Sequence, residues 1–401
     1  MQEQQEHDAL PSRRQPGLDT LRALAILLVF AYHYQVFVSR APSFGWASEI
    51  GWVGVDLFFV LSGYLIANQI FGGLARGQVL SLPAFYGRRF LRTLPNYWVV
   101  LALYCLFPLA MGGREPPPLW RFLSFTQNIQ LQPGTAFSHA WSLCIEEQFY
   151  LLLPLATVLG LRHVRSLRWA GAVLGGLMLA AIAWRAWLWT RFGREAGDAV
   201  QGYYPNVYYA SLCRMDEFLP GVAVALLKHA HPQAWAGLLR RGQVVLTGAL
   251  AACALLAWAL LRGYYIDGYG YGFAMTAFGY SAIALAFAAL LVAALSPRTL
   301  LHRLRVPGAA ALAAWSYAIY LSHKPLAVIV QKPLAGLGIE AGSMPGIALI
   351  TLPCLLGGWL LYRGVETPFM RLRQRWLPGN FSSARPMHSG ANPPLTLSEL
   401  P

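Results

Sequence analysis

The sequence is poor in charge, and the charge it has is one-sided. Aspartate, glutamate, lysine and arginine together make 12% of 401 residues, with 31 basic side chains, 17 acidic ones and a formal net charge of +14. A soluble chain carries about twice that charged fraction. With hydrophobic residues at 56%, a water-soluble globular fold is excluded. A basic excess first suggests nucleic acid, but here the basic residues sit between apolar blocks, which suits loops flanking membrane spans, so no nucleic-acid partner is expected. Cysteine is scarce and scattered: Cys105, Cys144, Cys213, Cys253 and Cys354 form no CxxC or other metal spacing. They read as small buried packing residues, and no metal site is expected. A cleavable leader is not expected either. Residues 1–16 (MQEQQEHDALPSRRQP) are polar, and the apolar run after them is long enough to be a retained span. No internal repeat is visible.

What the chain has instead is a succession of long apolar blocks. They fall at about 17–38, 51–71, 96–111, 140–159, 169–189, 209–228, 243–262, 273–295, 309–329 and 344–363. The expected fold is therefore an all-α integral membrane protein of about ten transmembrane helices. Residues 1–16 are expected to form a disordered cytoplasmic tail, 17–371 the transmembrane domain, and 372–401, rich in Ser, Pro and Asn, a second disordered cytoplasmic tail. Ten spans place both termini on one side. Roughly two thirds of the lysines and arginines fall on that side, which by the positive-inside rule makes the topology N-in and C-in.

The first block, GLDTLRALAILLVFAYHYQVFV, carries Arg22 near one end and His33 inside the run. At about 100° per residue, eleven steps bring the helix round to within about 20° of its starting face. Arg22 and His33 then share one stripe, on the order of 16 Å apart. An ionisable residue at membrane depth is costly and marks function by default. Rise per residue puts Asp56, Glu146 and His323 at about the depth of His33. Arg22 and the cluster Arg88, Arg89 and Arg92 fall at the opposite, inner surface. One end is thus cationic, suited to phosphate. The other holds a buried imidazole with carboxylates for partners, suited to general base work. The arginine cluster reads either as a topological anchor or as a phosphate site, and three arginines without a lysine favour forked recognition. Either Asp56 or Glu146 could orient His33. Tyr150 shares a helix face with Glu146 at i,i+4. Trp141 is either interfacial or a platform for a sugar ring. His323 is either structural or on the acceptor side.

Several stretches resemble acyltransferase family 3, integral membrane proteins that O-acylate carbohydrates and related acceptors. The resemblance rests on the Arg22-x10-His33 pairing in LDTLRALAILLVFAYHY, GVDLFFVLSGYLI with Asp56, FYGRRFLRTLP with Arg88, Arg89 and Arg92, and HAWSLCIEEQFYLLLPL with Trp141, Glu146 and Tyr150. Weaker echoes are RMDEFLPGVAVALL, SYAIYLSHKPL and VETPFMR, and the whole set runs in family order from Leu18 to Arg371. The resemblance implies acyl-CoA, by default acetyl-CoA, as co-substrate with no bound cofactor. It implies His33 as catalytic base, the arginines as donor-binding residues, a carbohydrate or glycoconjugate acceptor, and a place in the bilayer of the bacterial cytoplasmic (inner) membrane. Some members carry an outer esterase-like domain, and none is expected here after the last span. No serine or cysteine is placed as a nucleophile, so direct transfer is expected, with an acyl-His33 intermediate as the alternative. The competing reading, a transporter or flippase for a glycolipid or acylated metabolite, fits ten spans with buried charges equally well but lacks paired broken helices.

Overall fold

The computed structural model describes residues 15–112, 116–160, 167–194 and 196–382. These residues are almost wholly helical. Eleven helices carry the architecture: α1 Pro16–Tyr34, α2 Val53–Leu74, α3 Leu82–Leu106, α4 Trp141–Gly160, α5 Leu167–Phe192, α6 Leu219–Ala230, α7 Gly242–Gly263, α8 Tyr280–Leu295, α9 Ala309–Gly336, α10 Met344–Leu361 and α11 Thr367–Trp376. Two antiparallel pairs of two-residue strands complete the fold. Val79–Leu80 pairs with Phe381–Ser382, and Tyr265–Ile266 with Gly270–Tyr271.

Among the described residues, seven helical stretches are long and apolar enough to cross a membrane. They are α1 with its π-helical extension to Ser39, α2, α4, α5, α7, α8, and α10 continuing into α11. The protein is an integral membrane protein. The three other expected spans fall on α3, α6 and α9. Helices α3 and α9 are long but interrupted by polar groups and by Pro95, Pro325 and Pro333. Helix α6 has only 12 residues, about 18 Å and short of the bilayer core. The chain before it is a π turn at Tyr204–Tyr208, one helical turn at Ser211–Arg214 and a 3-10 turn at Met215–Phe218. The reason is the run Arg214–Met215–Asp216–Glu217, whose charges are buried and need partners. Irregular backbone at membrane depth is tolerated where protein surrounds it.

Helices α1, α2 and α8 are the innermost, while α5, α7 and α10 present apolar rows outward, among them Trp169, Leu177, Val244, Leu255, Trp258 and Leu352. In lipid such faces need no cover. Helices α2 and α6 meet backbone to backbone. A Cβ on Gly63 would lie 2.2 Å from the Phe218 carbonyl oxygen, and one on Gly221 would lie 2.1 Å from that of Val60. This is the close approach that small residues permit between membrane helices. The chain stays ordered beyond the tail boundary expected at 372. Helix α11 runs to Trp376, and Phe381 packs against Gly73 after its strand pairs with Val79–Leu80. The rest of that expected tail, from 383 on, and residues 1–14 of the first lie outside the described residues.

Candidate active site

Helix α1 has a cavity at each end. The cavity at its Arg22 end has a volume of about 880 Å³. Ser81 caps α3 by accepting from the Ala84 N–H, at 3.4 Å, and Pro83 sits in its first turn. This fixes the start of the turns that bring Arg88, Arg89 and Arg92 to the cavity wall, where they join Arg22. Each is held. Arg88 donates to the Leu377 carbonyl. Arg89 lies 3.5 Å above the Tyr150 ring and 3.9 Å from Glu147. Arg92 lies 3.4 Å from Glu366, which also accepts from Asn96 at 2.9 Å. Arg76, Lys228 and Arg373 line the same cavity and were not anticipated from the sequence. Seven lysine and arginine side chains thus surround one described carboxylate, Glu146. Guanidinium and ammonium groups only donate hydrogen bonds, so the basic side chains of this wall suit an anion.

At the other end, the His33 and His323 rings lie nearly coplanar and end to end, with centroids 5.0 Å apart and planes 6° from parallel. His33 Nδ1 is 2.7 Å from His323 Nε2, and His323 Nδ1 is 2.8 Å from the Ile319 carbonyl oxygen. The carbonyl can only accept, so His323 carries its proton on Nδ1. Its Nε2 then holds a lone pair and accepts from His33 Nδ1–H. In the neutral ring, His33 Nε2 is left as the basic nitrogen. A second imidazole, His139, stands edge-on to His33 at 6.1 Å. His33 and His139 line a smaller cavity of about 240 Å³ with Trp141, Tyr204, Tyr208 and Tyr271.

The two carboxylates expected beside His33 are used elsewhere. Asp56 is fully buried and lies 3.2 Å from Arg214 Nη2, while the Arg214 guanidinium also holds Glu217. Expected beside His33, the Asp56 side chain instead turns to a buried cation. A guanidinium in the protein interior has to be neutralised there. Glu146 accepts from Ser62 at 3.3 Å and from Tyr150 at 3.2 Å, and it faces the large cavity. The partner of His33 Nδ1 is His323. Trp141 is 4% exposed, with its ring 4.9 Å from Tyr208 and the Arg214 guanidinium 5.1 Å away, so it sits inside the protein at the small cavity. A parallel buried pair, Arg185 with Asp216 at 2.7 and 3.1 Å, ties α5 to the turn before α6.

On the wall of the large cavity, Ser142 and Tyr320 form a hydrogen-bonded pair. Ser142 faces the large cavity and its neighbour Trp141 the small one. Ser142 Oγ is 2.7 Å from the Tyr320 hydroxyl, which donates to the His139 carbonyl. The Tyr320 ring is 6.5 Å from His33. Tyr320 and His139 were not singled out from the sequence. Their signals were a tyrosine one turn before His323 and a histidine two residues before Trp141. Among the described residues, no three side chains of histidine, cysteine, aspartate or glutamate converge as metal ligands would.

Comparison with known proteins gives the same answer as the motifs. Residues 15–363 match a family model described as an acyltransferase domain. The chain is 33% identical over 230 residues to the peptidoglycan O-acetyltransferase OatA of Listeria monocytogenes, a match covering 53% of this chain and 34% of that protein. It is 32% identical over 236 residues to the putative peptidoglycan O-acetyltransferase YrhL of Bacillus subtilis, covering 55% and 34%. The matched stretch is thus about a third of the length of these curated relatives. No solved structure matches the chain. With the family model spanning nearly all of the membrane part, the protein belongs to acyltransferase family 3.

Proposed function

We propose that the protein is a membrane O-acyltransferase that moves an acyl group, acetyl by default, from acyl-CoA to a hydroxyl of a carbohydrate. Peptidoglycan is the first candidate because the relatives are named for it. The observation that carries the reading is the hydrogen-bond chain from the Ile319 carbonyl through His323 to His33, a residue lining the smaller cavity, which leaves the lone pair of His33 on Nε2.

In this reading the Arg22 end faces the cytoplasm of a bacterial inner membrane. The phosphates of CoA lie among Arg22, Arg88, Arg89 and Arg92, and the pantetheine arm reaches toward the Ser142–Tyr320 pair. The acceptor enters the smaller cavity. His33 Nε2 takes the proton of its hydroxyl as the oxygen attacks the thioester carbonyl. The new C–O bond forms, the C–S bond breaks, and the proton passes from His33 to the leaving thiolate, giving free CoA and an ester. His323 touches no reacting atom. It is a positioning residue that fixes the tautomer of His33 and accepts its Nδ1 proton throughout, much as a buried carboxylate does in other acyl-transfer sites. Ser62 and Tyr150 hold Glu146 against the arginine end, where it orders the cationic wall.

The test is release of free thiol by purified protein in detergent, with acetyl-CoA and soluble peptidoglycan fragments and no gradient present. Release that requires both the fragments and His33 is the expected result. His33→Ala protein that is folded and turns over at the wild-type rate would remove the base from this mechanism.

A further inference from the structure

The mechanism uses only part of the large cavity. Arg22 lies within electrostatic reach of Arg89 and Arg92, and Arg373 within reach of Arg88, Arg89 and Arg92. A second basic group stands on other elements of the same wall. Arg76 is in the turn after α2, and Lys228 and His229 are in the last turn of α6. Gly72 lets this group close up. A Cβ there would lie 3.2 Å from His229 Cε1 and 3.7 Å from Arg76 Nη1. His229 is within electrostatic reach of both Arg76 and Lys228. Asn68, one turn earlier on α2, accepts at its Oδ1 from Lys228 Nζ and from His229 Nε2, each at 2.9 Å.

Basic residues at a helix C-terminus offset the helix dipole, and that alone would account for a lysine and a histidine at the end of α6. It does not account for what surrounds them. Arg89 and Arg92 each face a carboxylate, Glu147 and Glu366. Among the described residues, Arg76 and Lys228 face none. Their partners are uncharged: Gln78 for Arg76 at 3.2 Å, and Asn68 and the Tyr64 hydroxyl for Lys228. Both side chains line the cavity, so a ligand held there meets them. Positive charge held by neutral groups and open to a cavity is set to receive an anion from outside the chain.

CoA carries its charge in two places, a diphosphate bridge and a phosphate monoester on the ribose 3′ oxygen. At about 880 Å³ the cavity is near the top of the ~300–1,000 Å³ range of small-molecule sites, with room for more than one anionic group. We propose that Arg76 and Lys228 form a second anion subsite that takes the 3′-phosphate of the donor and selects CoA over acyl carriers that lack it. The assignment rests on the acyltransferase reading given above and divides the phosphates: the diphosphate stays with Arg22, Arg89 and Arg92. A guanidinium fork and an ammonium suit a monoester dianion, and Asn68 holds the ammonium in place. Arg76 and Lys228 touch no reacting atom. They set which donor is bound and leave the transfer step alone.

The probes are acetyl-CoA and acetyl-dephospho-CoA, which differ only in the 3′-phosphate. With soluble peptidoglycan fragments as acceptor, the wild-type kcat/KM is expected to be at least about tenfold higher for acetyl-CoA, the value of one charge-assisted hydrogen bond. Arg76→Gln and Lys228→Met should each raise the KM for acetyl-CoA about tenfold and leave that for acetyl-dephospho-CoA at the wild-type value. Arg89→Ala, at the diphosphate, should raise both by the same factor. Equal use of the two donors by the wild type overturns the assignment. So does an unchanged acetyl-CoA KM in both variants. So does an equal rise for the two donors in those variants, because that is the signature of lost charge or lost folding in general. Binding decides the matter even where nothing is transferred. The purified protein should bind adenosine 3′,5′-bisphosphate about tenfold more tightly than AMP, and Lys228→Met should erase the difference. Equal Kd values for the two nucleotides overturn the subsite. A tenfold difference with no thiol release strikes acyl transfer and upholds the subsite.

Discussion

Replacing His323 tests the reasoning most directly, because His323 acts only through His33. In the resting state the bond from His33 Nδ1–H to His323 Nε2 joins two neutral rings at 2.7 Å. A neutral hydrogen bond contributes about 1 kcal/mol net, and one to a charged group about 1.5–3. As His33 gains its proton, the same bond strengthens by about 1–2 kcal/mol. At about 1.4 kcal/mol per tenfold, losing it slows the chemical step by roughly 5- to 30-fold. Losing the tautomer as well slows it further, since a base presented with its proton on the wrong nitrogen can lose up to about 10⁴ in kcat. His323→Leu should therefore lower kcat by at least about tenfold and leave the KM for acetyl-CoA unchanged, because the arginine chamber lies at the other end of α1. His323→Gln places an amide oxygen near the position of Nε2 and should recover most of the loss. The assay is thiol release at saturating acetyl-CoA with folded protein in detergent. A His323→Leu enzyme with wild-type kcat would refute the argument, and so would a His323→Gln enzyme as slow as His323→Leu.

Asp56→Asn should behave as a folding defect and not as a catalytic one. It leaves Arg214 with one fewer countercharge in a fully buried site, a loss on the order of 3–5 kcal/mol that would appear as a lower Tm in detergent. Arg89→Ala and Arg92→Ala should each raise the KM for acetyl-CoA by about tenfold with little change in kcat. The wild-type KM should climb with added salt, and the double variant should respond less. Gly221→Ala forces a methyl group against the Val60 carbonyl. It should part α2 from α6 at a cost of about 1–3 kcal/mol, read as a reduced Tm and a reduced folded yield.

The two functional ends of α1 were legible in the sequence, and the direction of the carboxylates was not. Counting residues at a fixed rise put Arg22 and His33 on one stripe of α1, and the structure opens a chamber at each of those residues. The same arithmetic put Asp56, Glu146 and His323 level with His33, but it holds no information about which way a helix is rotated against its neighbours. Rotation is set by packing: by the glycine contact that draws α6 onto α2, and by the demand of Arg214 for a carboxylate. Once Arg214 is buried beside Asp56, that carboxylate can no longer serve an imidazole. The echo around Arg214 and Asp216, read from the sequence only as a family resemblance, thus explains why the obvious base–carboxylate pair does not form. The same limit applied to the spans. Seven blocks were plain from hydropathy, while the stretch before α6 was expected to be continuous helix because apolar count alone cannot show where a charged run unwinds the backbone. Pro325 offered the best unused signal. A proline inside a membrane helix frees the carbonyl four residues earlier, and in lipid a freed carbonyl must find a donor. Here the donor is His139. Pro325 thus marked a free carbonyl at Leu321, but the sequence did not say which donor fills it. The donor that fills it, His139, stands two residues before Trp141 at the start of the motif HAWSLCIEEQFYLLLPL.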